Sequence, residues 1–205
     1  MTLRDPRFTA LHVHRAAARR RVFAWAAAAL LAFAVLPHRH AAAQQPFTVS
    51  STSLHDGGTV ARAQVYNGGD CKGGNRSPEL SWDHVPAGTG SFAVTMLDPD
   101  ASGPGWWHWS VIDIPATVHR LPENASASGY LKTIGAKEAR NDFGSDGYGG
   151  PCPPPGKPHR YVVTVYALAA KALSPRAGSR ASSFDHEIDT STTLGYARLT
   201  VTYGR

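Results

Sequence analysis

The chain has 205 residues, enough for one domain with a substantial hydrophobic core, and a formal net charge of +6. Such an excess ordinarily points to an acidic partner, but residues 1–43 hold seven of the 21 Lys+Arg and only one of the 15 Asp+Glu. The remainder carries 14 of each and no net charge, so the excess says nothing about the partners of the folded domain, and no nucleic-acid partner is expected.

The N-terminal segment has the layout of a secretory signal peptide. Arg19-Arg20-Arg21 forms a positive stretch, Val22 to Leu36 is an uncharged Ala/Leu-rich run, and Ala41-Ala42-Ala43 supplies small residues before Gln44. The apolar run is 15 residues, shorter than the ~20 that a membrane-spanning helix needs. An uncleaved anchor or a misassigned start is the alternative. The expectation is a signal peptide over 1–43, a single domain over 44–205 with no transmembrane segment, and a periplasmic or secreted location. No cysteine follows the small residues, which argues against a lipid-anchored N-terminus.

Along the domain, short β-type runs alternate with Gly/Pro/Asp/Asn clusters. Phe47 to Val49 and Val60 to Val65 are weak strand candidates. Cys71 and Cys152 are the only cysteines. In a reducing cytosol they would be ordinary core residues; in an oxidising compartment an even count invites a disulfide, and spacing alone favours neither. Ser91 to Leu97 alternates and ends at Asp98-Pro99, Trp109 to Ile114 stops at Pro115, and Tyr161 to Leu168 is the richest in β-branched and aromatic residues. Ser183 to Ile188 has the pattern of a short helix capped by Ser183, and Arg198 to Tyr203 alternates again. Many strands, little helix and Gly/Pro-rich turns predict a mainly β fold, a sandwich or a barrel.

Two loops carry the candidate chemistry. In Asp98-Pro99-Asp100, two carboxylates sit at a strand end, followed by Trp106-Trp107-His108-Trp109. Taken alone, the aspartates read as turn formers and the tryptophans as core, whereas His108 opens a strand beside bulky aromatics and is a candidate for a pocket wall. The second loop runs Gly147-Tyr148-Gly149-Gly150-Pro151-Cys152-Pro153-Pro154-Pro155-Gly156 and leads to Pro158-His159-Arg160-Tyr161. Glycines there let backbone amides approach a ligand and prolines stiffen the loop, a combination that makes an anion site without net charge.

Taken together, Leu97-Asp98-Pro99-Asp100-Ala101, His108, Gly149-Gly150-Pro151 and Pro158-His159-Arg160-Tyr161 resemble the two signature regions of the phosphatidylethanolamine-binding proteins. The Gly-Pro-Cys-Pro-Pro-Pro-Gly version is similar to the bacterial Raf-kinase-inhibitor-like branch. Ser77-Pro78-Glu79-Leu80-Ser81-Trp82, Asn141-Asp142-Phe143-Gly144 and Tyr203-Gly204-Arg205 extend the likeness over residues 46–205. The resemblance implies an antiparallel β-sandwich with a few short peripheral helices and a small pocket for phosphate or phosphorylated head groups. It also raises the expectation that Cys71 and Cys152 are bridged. By position, the ligand-binding wall would comprise Asp98, Asp100, His108, His159, Tyr161 and the Gly149-Gly150-Pro151 backbone, with Trp107 at the rim. His108 and His159 would donate to the anion. Ser102 stands where the family usually has proline, which loosens the turn after Asp100.

The functional expectation is a non-catalytic binder of phosphate-bearing small molecules or lipid head groups that needs no cofactor. The alternative is a modulator of a partner kinase or protease through the pocket rim. Against an enzyme, the sequence holds no His-x-x-x-His metal spacing and no Gly-x-Ser-x-Gly elbow, and Ser110 within a strand is a poor nucleophile.

Overall fold

A computed structural model describes residues 45–205. The signal-peptide reading of residues 1–43 lies outside the described residues. The strands are β1 (Thr48–Ser50), β2 (Asn67–Gly68), β3 (Cys71–Lys72), β4 (Leu80–Asp83), β5 (Ser91–Asp98), β6 (Trp106–Pro115), β7 (Arg120–Leu121), β8 (Lys137–Glu138), β9 (His159–Leu168) and β10 (Thr193–Tyr203). The helices are α1 (Tyr130–Thr133) and α2 (Ala181–Thr190). The fold is mainly β, and the named strands pair antiparallel: a five-stranded sheet in the order β10-β9-β5-β6-β8, a three-stranded sheet β1-β4-β7, and the hairpin β2-β3.

The central strand β5 is covered on both faces. Phe92, Val94 and Met96 share a buried cluster with Trp109, Val111, Val163, Val165 and Val201 of the same sheet and with Leu80, Trp82 and Leu121 of the three-stranded sheet. Ala93 faces the other way, toward Ile112, Leu168 and the α2 residues Ala181, Phe184 and Ile188. Period-two side-chain alternation sends neighbouring residues to opposite faces, so one apolar strand supplies two cores.

The β5–β6 register shifts twice, between Phe92 and Val94 and again near the end of β5. Met96 pairs with Trp109 but Leu97 pairs with Trp107, so His108 has no opposite number. A bulge of this kind inserts one unpaired residue and re-aims its neighbours. Trp109 therefore lies in the inter-sheet core, whereas Trp107, which strict alternation would put on the same face, packs against the α2 side.

Three sequence expectations need correcting. Val60 to Val65 is not a strand: Val60 donates to the Thr202 carbonyl at the edge of β10, and residues 61–64 then turn, with Gln64 N–H bonding the Ala61 carbonyl. The Ala/Arg/Ala composition there has no β-branched face to bury. Strand β6 begins at Trp106 instead of Trp109, because Asp98 pairs with Trp106 and extends the ladder past the bulge. Helix α2 begins at Ala181, and Ser183 does not cap it; its amide already bonds the Arg180 carbonyl. Cys71 and Cys152, 81 residues apart, are joined in a disulfide.

Candidate functional site

A cavity of about 530 Å³ opens where the end of β5 meets the beginnings of β6 and β9. Asp98 reaches it from the last position of β5, Asp100 from the turn that follows, Trp106 and His108 from β6, and His159 and Tyr161 from β9. Phe143 and the segment Cys152-Pro153-Pro154 close the remaining wall. On each of β6 and β9, two residues spaced by two line the cavity, as strand periodicity requires.

The Asp98 carboxylate has two jobs. Its Oδ1 accepts the amides of Asp100 (2.9 Å) and Ala101 (3.1 Å), a turn-forming pattern, while Oδ2 accepts from His159 Nδ1 at 2.7 Å. Gly105, at φ +100, lets the returning chain pass close to the Asp98 carbonyl, where a side chain would not fit. Asp100 takes a two-pronged bond from Arg160, Nε to Oδ2 at 2.9 Å and the terminal nitrogen to Oδ1 at 2.7 Å, plus the Arg160 amide at 2.8 Å. The guanidinium bonds hold the Asp100 carboxyl far below the usual carboxylate range. The two carboxylates that would repel an anion are thus each matched by a partner.

His108 is 2 % exposed, and its Nδ1 lies 2.7 Å from the Gly149 carbonyl. A carbonyl only accepts, so Nδ1 carries the proton. Burial pushes the imidazole below its ordinary value of 6.5, outweighing the carbonyl that favours the cation. With its Nδ1–H on that carbonyl, a neutral His108 has no second N–H, which argues against the expectation that it donates to a ligand.

Two buried donors in the wall have no hydrogen-bond partner among the described residues. Tyr161 is 0 % exposed, stacks edge-on against His108 at 5.1 Å, and its hydroxyl has no hydrogen-bond partner among the described residues. Burial, with the Asp98 charge, pushes its ionisation far above the ordinary value, so the hydroxyl keeps its proton. Trp106 Nε1–H is likewise buried without a partner, its indole edge-on to Phe143 at 5.4 Å.

Of the residues expected from sequence, Asp98, Asp100, His108, His159 and Tyr161 come together in the cavity wall; Trp107, Gly149, Gly150 and Pro151 do not. Trp107 faces the α2 side, and Trp106 takes the rim, because Trp106 shares the His108 face of β6. The glycine amides are not free to cradle a ligand: Gly149 N–H bonds the His108 carbonyl at 2.9 Å and Gly150 N–H bonds Asn75 Oδ1 at 2.8 Å. Gly150 is glycine because a Cβ there would collide with the Gln64 carbonyl. Those amides brace the wall from behind. Sequence reading passed over Trp106, although its spacing of two from His108 was the available signal. It also passed over Phe143, whose ring stacks on Tyr66 at 4.1 Å and which no local pattern places near the site.

The phosphatidylethanolamine-binding protein family profile matches residues 50–204. The Escherichia coli K12 protein YbcL is 49 % identical over 130 residues, covering 62 % of this chain and 71 % of YbcL. YbhB of the same organism is 44 % identical over 130 residues, covering 63 % of this chain and 82 % of its own. The crystal structure of E. coli YbcL, described as a new member of the mammalian PEBP family, superposes with a TM-score of 0.75 at 41 % identity. It covers 78 % of this chain and 99 % of that one.

Proposed function

Because the chain belongs to the phosphatidylethanolamine-binding protein family, we propose that it binds a small oxyanion, phosphate or a phosphorylated head group, in the cavity of Asp98, His159 and Tyr161, and that it does so without catalysis after export to the periplasm or beyond. The paired sheets, read as the antiparallel sandwich the resemblance implies, serve as the rigid frame. The observation that carries the reading is the Tyr161 hydroxyl: a buried hydroxyl in a cavity wall, beside the Asp98 carboxylate, with no hydrogen-bond partner among the described residues. An unsatisfied buried hydroxyl costs roughly 1–3 kcal/mol, and a ligand oxygen offsets that cost when it binds. Trp106 Nε1–H is a second donor of the same kind. His159, with Nδ1 on Asp98, has its Nε2 left for the ligand.

Binding rather than turnover is favoured because both carboxylates are engaged, Asp98 by the turn amides and His159, Asp100 by Arg160. Neither is left as a general base. Export accounts for the N-terminal sequence and for a disulfide in the domain.

Calorimetric titration of the domain with inorganic phosphate and with phosphoethanolamine tests the reading, with Tyr161→Phe as the variant. The substitution is expected to weaken binding about tenfold while leaving the ligand-free protein as stable or slightly more so, since it removes an orphan donor. Equal affinity in wild type and Tyr161→Phe places the ligand elsewhere.

A further inference from the structure

The proline wall of the cavity is built differently from the rest of it. Residues 151–156 include four prolines, which have no N–H, so the segment cannot join a ladder. Among the described residues its backbone makes three hydrogen bonds, all to distant partners. Tyr66 N–H reaches the Pro151 carbonyl at 3.1 Å, Arg205 Nε–H reaches the Pro153 carbonyl at 2.6 Å, and Gly156 N–H reaches the Arg205 carbonyl at 3.1 Å. Arg205 supplies two of the three.

The other arm of the same guanidinium lies 3.3 Å from Asp70 Oδ2, in the turn between β2 and β3. Asp70 precedes Cys71, and Cys71 is bonded to Cys152, the neighbour of Pro153. Guanidinium and disulfide therefore join the same two segments side by side. A covalent tether at one residue limits how far a loop travels but leaves it free to swing about that point. The charged hydrogen bond at the next carbonyl removes the swing, and charge-assisted bonds of this kind are short and directional. The Arg205 side chain is 27 % exposed, whereas Asp70 is 80 % exposed, so the bond to Pro153 is the sheltered one.

We infer that Arg205 is a positioning residue for the ligand cavity, holding Pro153 and Pro154 against the space in front of Tyr161 and His159. This rests on the binding reading above. Without Arg205 the disulfide still closes the loop, but the wall is no longer set at the distance a ligand requires, and Cys152 becomes open to attack.

Two measurements on the purified protein separate this inference from the reading beneath it: phosphate affinity by calorimetry, and the rate at which dithiothreitol reduces the Cys71–Cys152 bond. Arg205→Ala is expected to bind phosphate about tenfold more weakly and to be reduced about tenfold faster. Asp70→Asn keeps the bond to Pro153 and is expected to match wild type within about twofold in both. Should the alanine variant fail to fold, Arg205→Lys, which keeps one donor and loses the fork, is expected to show the same changes at about threefold. Unchanged affinity, or an unchanged reduction rate, in an Arg205 variant that folds overturns the inference. If wild type binds no phosphate, the binding reading falls, and the reduction rates alone decide whether Arg205 holds the wall.

Discussion

The two walls of the cavity make an instructive pair. One is made of strand ends: Asp98, Trp106, His108, His159 and Tyr161 hang from β5, β6 and β9, whose ladders hold the backbone on both sides of the bulge at His108. The other is a proline segment with no ladder among the described residues, fixed there by a disulfide and three hydrogen bonds to residues far away in sequence. Rigidity arises in both, but from cooperative backbone pairing in the first and from a few discrete ties in the second. The first wall resists any single substitution that leaves the strands paired. The second is exposed to the loss of one tie.

The largest expected effect comes from cutting the covalent tie. Replacing both Cys71 and Cys152 with Ser opens a loop of 81 residues, and chain entropy sets the cost at about 4 kcal/mol of unfolding free energy. Denaturant melts of the double variant measure it, with phosphate affinity expected to fall as well because Cys152 stands in the wall. A loss below about 1 kcal/mol with undiminished affinity would show that the hydrogen bonds alone hold the proline wall.

A smaller effect sharpens the strand-end wall. His159 donates from Nδ1 to Asp98 Oδ2 at 2.7 Å, which holds the imidazole in the cavity wall with Nε2 left for the ligand. His159→Ala is expected to weaken sulfate binding about tenfold, measured by calorimetric titration. Affinity equal to wild type breaks the assignment of His159.

The smallest effect concerns the fold itself. Burial lowers His108 below 6.5, so the unfolded chain binds a proton that the folded chain refuses. Stability is then constant above about 6.5 and declines as pH falls through the window between that value and the lowered one. Asp100 and Glu79, both depressed, lose their contributions only further down, in the carboxylate range. Denaturant midpoints from about pH 7 to about pH 5 are expected to drop in wild type and to drop less in His108→Gln. Equal slopes would mean that His108 is charged in the folded state.

Much of the strand-end wall could be read in advance, because what makes it is local. Ser91 to Leu97 and Tyr161 to Leu168 carry a period of two and β-branched residues, and both are strands with the expected cavity residues at their ends. The exchange of Trp107 for Trp106 was legible only in the spacing of two between Trp106 and His108. What the bulge at His108 adds is the separation of Trp107 from the face of Trp109, a consequence of the β5–β6 register. The glycine loop misled for a related reason. Gly-Gly-Pro shows that backbone comes close to something, but not whether that something is a ligand or, as at Gly150, the Gln64 carbonyl.

By itself the sequence determined the mainly β character, the order of turns and strands and the neutral charge of the domain, each a property of adjacent residues or of composition. The carboxylates, imidazoles and Tyr161 that meet in one cavity were expected from the family resemblance, not from any local pattern. The tertiary structure decided the pairings: His108 with the Gly149 carbonyl across 41 residues, His159 with Asp98 across 61, Cys71 with Cys152 across 81, and Arg205 with Pro153. Those contacts set which histidine is neutral, which donors are left without acceptors, and what holds the proline wall. Their energies depend on burial and on distances that exist only once the sheets have packed, so no local pattern in the chain could encode them separately.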